Sequence, residues 1–466
     1  METSNAISLF YSFISILISA YLIFLYYNDR LTVLEIIVIS FCCQAYEVSF
    51  IGPTITPYFF ISTYLLLKFL KDFILSSIRI KYTYLFLFIL PLFSSLYAVT
   101  YHSVSFNTFY NIPISKFFFY TKPIFFYIKN YLPFFVNSYY IYKDKKVLNV
   151  LYFYNLIVRV ALISCILAFF QILTSISTSN GLLTEILGVK KRYMFELPSG
   201  LSFVRVSAFF LEPKHFSAFL GLSLPILLKN REYFKSALVI TTGFLTMSQT
   251  FTIEIVLYIL IFVLLKRLLS LRFLVMLTIF IVICLSATIY NSREILIQSA
   301  ITNKNNPIFI ILADRFVSRY DGTISMAEDS DLGGLPFQQD LELPVFRFIY
   351  DNPIALITGY GPGNSSFLPP RYFEGLWSYE AQLSGTRSNH MNLRWFFYVS
   401  EFGLPIFVAL FLILTTVGCG KFEKLYYAFL WSCFFFNEID MILVAFYVIL
   451  NQKKAINSIS INFLSR

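Results

Sequence analysis

Three groups of polar residues in this chain have the types and spacing that chemistry at an anionic substrate would use. The first is the segment Arg205-Val206-Ser207-Ala208-Phe209-Phe210-Leu211-Glu212-Pro213-Lys214-His215-Phe216, in which Arg205, Glu212, Lys214 and His215 stand at the head of a long apolar run. Charges at membrane depth are costly and normally face a cavity or a partner, so these four are site candidates. The plainer alternative is an interfacial anchor, with Arg205 and Lys214 reaching back to lipid headgroups. Glu212 has the reach to pair with either cation or with an arginine from elsewhere.

The second group is Arg347-Phe348-Ile349-Tyr350-Asp351-Asn352-Pro353 followed by Gly359-Tyr360-Gly361-Pro362-Gly363. Gly361 and Gly363 permit positive φ and close backbone approach to a ligand. No strand–turn–helix unit surrounds them, so this is not a dinucleotide fingerprint. A tight turn ending a helix accounts for the glycines equally well. The third group is Arg387-Ser388-Asn389-His390-Met391-Asn392, followed by Glu401-Phe402-Gly403. A lone interfacial histidine is usually structural. Here Asn389, Asn392 and a glutamate on nearly the same helical face, about three turns further on, accompany it. Arg315 and Arg319, four apart beside Asp314, suit either an anion or an ordinary solvated face. Asp329-Ser330-Asp331 reads as an acidic solvated turn. His102, Gln249 and Thr250 read as structural, the last two as helix-end polar groups.

These residues have to be positioned by membrane helices. The 466 residues are 58% hydrophobic and 20% aromatic, with 13% charged, where soluble domains average about 45–50% apolar and about 25% charged. A chain of this composition has too few polar residues to cover a water-facing surface. A soluble globular enzyme, a disordered chain, a collagen and a disulfide scaffold are all excluded. The expected fold is all-α and polytopic, a single transmembrane domain over 1–466. A span needs about 20 mostly apolar residues. Such runs fall near 5–27, 31–51, 54–71, 83–101, 117–141, 147–174, 207–228, 234–247, 250–266, 271–290, 391–416 and 424–450. Asn437-Glu438-Ile439-Asp440 interrupts the last, which gives about 12–13 spans in all. The first run lacks a basic leader and is expected to remain as a helix.

Basic residues orient the spans. Lys68, Lys71, Arg79 and Lys81 mark one cytoplasmic loop, and Lys143, Lys145 and Lys146 another. Lys229, Arg231 and Lys235 mark a third, and Lys266, Arg267 and Arg272 a fourth. Two long connections, 175–206 and 291–390, then face outward. The second carries 7 Lys and Arg against 11 Asp and Glu, while the whole chain is at +10. The positive excess therefore lies elsewhere, which makes nucleic acid an unneeded partner. That stretch also holds 8 of the 17 glycines; a connection so long without structure of its own is usually functional. It is expected to fold as a small helical cap. All six cysteines (Cys42, Cys43, Cys165, Cys284, Cys419, Cys433) lie in or at the ends of apolar runs, which suggests buried thiols and neither a metal site nor a disulfide framework.

Taken together, Arg205…Glu212-Pro213-x-His215-Phe216, Arg347 ahead of Gly359-Tyr360-Gly361-x-Gly363, and Asn389-His390…Glu401-x-Gly403 resemble the O-antigen polymerase and ligase superfamily, closest to the Wzy-type polymerases. The motifs are short and cover about a third of the chain. Ser248-Gln249-Thr250 departs from the pattern, since family members often carry an arginine or serine pair there. The resemblance implies a multi-pass protein of the bacterial inner membrane with a periplasmic active face. It implies an inverting, metal-independent glycosyltransferase that needs no cofactor and takes a glycan on undecaprenyl diphosphate. It also implies a membrane lipid environment and a chain-length regulator as partner. By the same resemblance His390 is the candidate base, with Arg205 and Arg347 on the diphosphate and Glu212 and Glu401 orienting these groups. Arg319, His215, Lys214, Gly361, Gly363, Asn389 and Glu401 are the further substrate-binding candidates. The related alternative is a ligase acting on lipid A-core. The alternative of another class is a flippase for lipid-linked sugars, against which stands the lack of two related halves with paired broken helices.

Overall fold

The computed structural model describes residues 2–49, 54–75, 132–144, 149–177, 182–190, 193–196, 202–265, 342–375, 379–383, 393–415 and 420–464, with Met391 and a few single positions between 121 and 146. The sequence expectations at His390, Asn389, Arg387, Asn392, Arg319, Arg315, Asp314, Asp329–Asp331, His102, Cys284 and Cys419, and the spans at 83–101 and 271–290, lie outside these residues.

The described chain is mainly helical. In order it forms α1 (Glu2–Tyr27), α2 (Val33–Cys42), β1 (Val48–Ser49), β2 (Thr54–Ile55), α3 (Pro57–Leu75), α4 (Leu132–Lys143), α5 (Val150–Ser177), α6 (Leu182–Ile186), β3 (Met194–Glu196) and β4 (Ser202–Val204). There follow α7 (Pro213–Lys229), α8 (Tyr233–Leu245), α9 (Gln249–Leu265), α10 (Glu342–Asp351) and α11 (Ala355–Thr358). Two 3₁₀ turns (Asn364–Phe367 and Pro370–Phe373) lead into α12 (Tyr379–Leu383), α13 (Arg394–Phe402), α14 (Leu404–Thr415), α15 (Lys421–Phe436) and α16 (Asp440–Leu464). The strands pair only as two short antiparallel ladders, β1 with β2 and β3 with β4. Two compact units result. One takes Met1–Ile80, Pro133–Ser270 and Thr416–Arg466; the other takes Lys81–Leu132 and Leu271–Thr415.

In the first unit α7 is the central helix. Every residue from Phe216 to Leu227 is buried, and α5, α8, α9 and α15 pack around it. An aromatic cluster of Phe153 and Tyr154 on α5, Tyr426 on α15 and Phe446 on α16 fills the adjoining core, with ring centroids 5.0–5.8 Å apart. Cys42, Cys43, Cys165 and Cys433 are buried free thiols. The outward faces stay apolar. Leu9, Phe13, Tyr21 and Phe24 on α1 and Ile163, Ile166, Phe170 and Leu173 on α5 are all more than half exposed. Contiguous exposed apolar surface marks contact with a membrane or another protein. Leu9–Tyr27 and Val150–Ile176 are long and apolar enough to cross a membrane.

Several helices differ from the apolar runs in the sequence. The run at 207–228 becomes helical only from Pro213, because Arg205–Glu212 is drawn into an irregular segment. The run at 31–51 stops as a helix at Cys42 and turns into the β1–β2 hairpin. The run at 391–416 divides at Gly403, whose φ of +90° no helix accommodates. The interruption at 437–440 separates α15 from α16, as the polar residues there require.

Candidate functional site

The first group of site residues belongs to the first unit. Its irregular backbone is fixed by a residue far away in sequence, Gln171 on α5, which is fully buried. Gln171 Oε1 accepts from the Ser207 and Ala208 amides at 3.2 and 3.0 Å. Its Nε2 donates to the Leu187 and Ala208 carbonyls at 2.9 and 3.0 Å. One amide side chain thus does for four backbone groups what a helix would otherwise do, and Ala208 is held at φ +49°. Ala45 N–H closes the segment from the other side onto the Phe209 carbonyl, at 2.8 Å. Gly188, at φ +95°, passes so close that a Cβ there would lie 3.0 Å from Ala45 Cβ and 3.4 Å from Ala208 O.

On this platform Arg205 lies against the β3–β4 hairpin. Its amide donates to the Tyr193 carbonyl at 3.0 Å. Its guanidinium sits over the Tyr193 ring, 5.5 Å from the centroid, while Nε donates to the Thr246 carbonyl at 3.2 Å. The ring contact and the Nε bond fix the guanidinium plane, which is what gripping a phosphate in two places requires. Glu212 is the N-cap of α7. Its carbonyl accepts from the His215 and Phe216 amides, and its extended backbone (φ −139°, ψ 149°) turns the chain into the helix ahead of Pro213. Its side chain does not cap the helix. Lys214 and His215 occupy the first turn, both half-buried. The Lys214 ammonium, in a first turn, opposes the helix dipole.

The second unit brings the glycine motif and the Glu401-Phe402-Gly403 segment together. Tyr360 N–H donates to the Ser400 carbonyl at 2.8 Å and Gly361 N–H to the Glu401 carbonyl at 2.9 Å. The Glu401 carboxylate accepts from Gly363 N–H at 2.6 Å, at the head of the first 3₁₀ turn. The approach is close in both directions. A Cβ on Gly359 (φ +72°) would fall 2.4 Å from Glu401 O, and one on Gly403 would fall 2.1 Å from Ile357 O. Glu401, buried at 3% exposure, therefore holds the glycine turn in place.

Arg347 on α10 reaches the far end of this turn. Its Nη1 donates to the Tyr372 and Glu374 carbonyls at 3.1 and 2.9 Å, closing the second 3₁₀ turn. Any bond to a phosphate falls to its other donors. Partial burial pulls the guanidinium below its ordinary value, and Glu374 opposes that shift. Burial pushes the Tyr360 phenol well up, with Tyr372 adding to it, and Phe348 packs edge-on against both rings.

Of the sequence candidates, then, Arg205, Glu212, Lys214 and His215 share one segment, and Arg347, Gly361, Gly363 and Glu401 share another. His390, Asn389 and Arg319 are outside the described residues. Sequence reasoning missed Gln171, for which no local signal exists, and Tyr193, whose place under Arg205 depends on the hairpin. No protein-family model matches this chain, and no curated protein or solved structure matches it either.

Proposed function

We propose that this chain is a multi-pass inner-membrane glycosyltransferase that extends a glycan carried on undecaprenyl diphosphate, a polymerase of O-antigen or a similar surface polysaccharide. The observation that carries the reading is the interlock of Gly359–Gly363 with Glu401–Gly403. Two of the motifs behind the family resemblance, some forty residues apart, form one built unit, each shaped to the other's backbone. The long apolar helices with exposed apolar faces support the membrane setting.

In the proposed reaction the acceptor hydroxyl of one lipid-linked repeat attacks the anomeric carbon of the glycan on another lipid. The carbon–oxygen bond to the diphosphate breaks, the leaving lipid diphosphate keeps the electron pair, and configuration inverts. His390 takes the hydroxyl proton, since an imidazole titrates near neutral pH; general-base assistance of this kind is worth about 10²–10⁴ in rate. Arg205, its plane fixed on Tyr193 and Thr246, receives charge developing on the diphosphate, and bonds to charged groups contribute about 1.5–3 kcal/mol each. Lys214 adds positive charge from the first turn of α7, and His215 is a further substrate-binding residue there. Glu401 and Arg347 position the glycine turn. A chain-length regulator is the expected partner.

The test is a gel of surface polysaccharide from a deletion strain complemented with variants. Without the protein, single repeat units on the lipid A-core should replace the ladder of chain lengths. Arg205→Ala and His390→Ala should reproduce that pattern at normal protein level. Normal ladders in both variants would defeat the site assignment, and loss of all capped core would identify a ligase instead.

The break between α15 and α16, beside a buried carboxyl group, is a feature that favours a transporter of lipid-linked sugar. Accumulation of lipid-linked repeats on the cytoplasmic face in the deletion strain would select that reading.

A further inference from the structure

The apolar interior of the first unit holds a carboxyl group that neither the motifs nor the proposed reaction uses. Glu254 lies on α9 and is 1% exposed. It points across to α7 at Gly221, where the absence of a side chain makes room for it: a Cβ there would fall 1.7 Å from Oε2. On α15 it meets Asn437, which is 2% exposed and ends that helix in extended conformation at the break before α16. Asn437 Nδ2 donates to Glu254 Oε1 at 2.7 Å. Two buried oxygens of this pair, Glu254 Oε2 and Asn437 Oδ1, receive no N–H or O–H donor from the described residues. Among the described residues the titratable groups facing the carboxyl are Cys433, whose thiol is a weak donor to it, and Tyr426, both on α15. The Tyr426 hydroxyl donates to the Leu222 carbonyl at 3.0 Å. From α7 the contact is glycine. Among the described residues no lysine or arginine pairs with Glu254.

A lone buried carboxylate is among the costliest groups a protein can hold, and two orphaned acceptors beside each other add to the cost. One proton resolves both. A neutral carboxylic acid and a primary amide, both planar, join through two parallel hydrogen bonds, N–H to carbonyl oxygen and O–H to amide oxygen. The first of these is already present. A metal cation would call for several more oxygen ligands than the two that stand open. We propose that Glu254 is a proton-binding site: it keeps its proton in the folded protein and, as a neutral acid, pairs at two points with Asn437, tying α9 to the α15–α16 break. The proposal is independent of the reaction assigned above.

Infrared difference spectra of the purified full-length chain, wild type minus Glu254→Gln at neutral pH, test this directly. The wild type should show the carbonyl band of a neutral carboxylic acid that the variant lacks. Glutamine can offer the same donor and acceptor, so Glu254→Gln should melt where the wild type does, whereas Glu254→Ala and Asn437→Leu should melt lower. Absence of the neutral-acid band would overturn the proposal. So would failure of Glu254→Gln to accumulate, or a melting point as low as that of Glu254→Ala. A wild-type melting point that rises with sodium, with the rise lost in Glu254→Gln, would show a carboxylate–cation site in its place.

Discussion

The segment Arg205–Glu212 and the turn Gly359–Gly363 are both irregular backbone carrying motif residues, yet they are held by opposite means. Around Arg205 the work falls to a side chain: Gln171 accepts from two amides of a stretch with no secondary structure of its own, donates to one of its carbonyls, and ties it to Leu187 with a further bond. Around Gly361 it falls to missing side chains, with main chain against main chain at distances that exclude any Cβ. The lesson concerns tolerance. A polar clamp can be weakened by degrees as its bonds are removed one at a time, whereas a steric clasp fails at once when one carbon is added.

The largest effect should therefore come from Gly403→Ala or Gly359→Ala. Each places a Cβ within 2.4 Å of a carbonyl group at positive φ, and a loss on the order of 3 kcal/mol or more is expected. Gly375→Ala sharpens the point: its φ is +76° but nothing lies within 4 Å, so only the backbone cost of about 1–2 kcal/mol applies. Thermal unfolding of the three variants checks this, and equal losses at Gly403 and Gly375 would remove the steric clasp from the comparison.

Gln171→Leu comes next. It strands the Ser207 and Ala208 amides in the interior, and a buried group left without a partner costs about 1–3 kcal/mol. Gln171→Glu keeps the acceptor for the two amides but turns a buried carboxylate oxygen on the Leu187 and Ala208 carbonyls, so its loss should equal or exceed that of Gln171→Leu. A Gln171→Leu protein as stable as the wild type would show that the segment does not depend on the clamp.

A smaller effect is expected from Glu401→Gln, which still accepts from Gly363 N–H but without charge. Bonds to charged groups are roughly twice as strong as neutral ones, so about 1 kcal/mol should be lost. Faster amide exchange confined to Gly363 and the following 3₁₀ turn is the readout. Arg347→Lys should be the mildest, because one ammonium can reach both carbonyls of the second 3₁₀ turn, though with less fixed geometry. About 0.5–1.5 kcal/mol is the scale of one such bond, and disruption well beyond that turn would mean that Arg347 supports more than the carbonyls of Tyr372 and Glu374.

Much of this architecture was legible in order of residue type. Apolar runs located α1, α3, α5, α8 and α9 to within a few residues, since length and apolarity are local properties of the chain. The polar interruption at Asn437–Asp440 announced the end of α15. The glycines at 359, 361, 363 and 403 announced tight backbone, and an ordinary turn was as good a reading as a ligand loop until their partner was known. What could not be read was the pairing. Nothing near Gln171 indicates that it bonds a segment 36 and 37 residues away, and hydropathy alone extends the helix through 207–212. Glu254 sits in a run that reads as an unremarkable span, because the groups that accommodate it, Gly221 and Asn437, come from other helices.

By itself the sequence determined that this chain is a helical protein with far too little charge for a water-facing surface, because composition and apolar run length are sums over residues that folding cannot alter. Only the tertiary structure decided which polar groups meet. It set Arg205 on Tyr193, closed Glu401 onto Gly363 and left Glu254 facing Asn437, since hydrogen bonds of a few ångströms depend on helices brought side by side from distant parts of the chain.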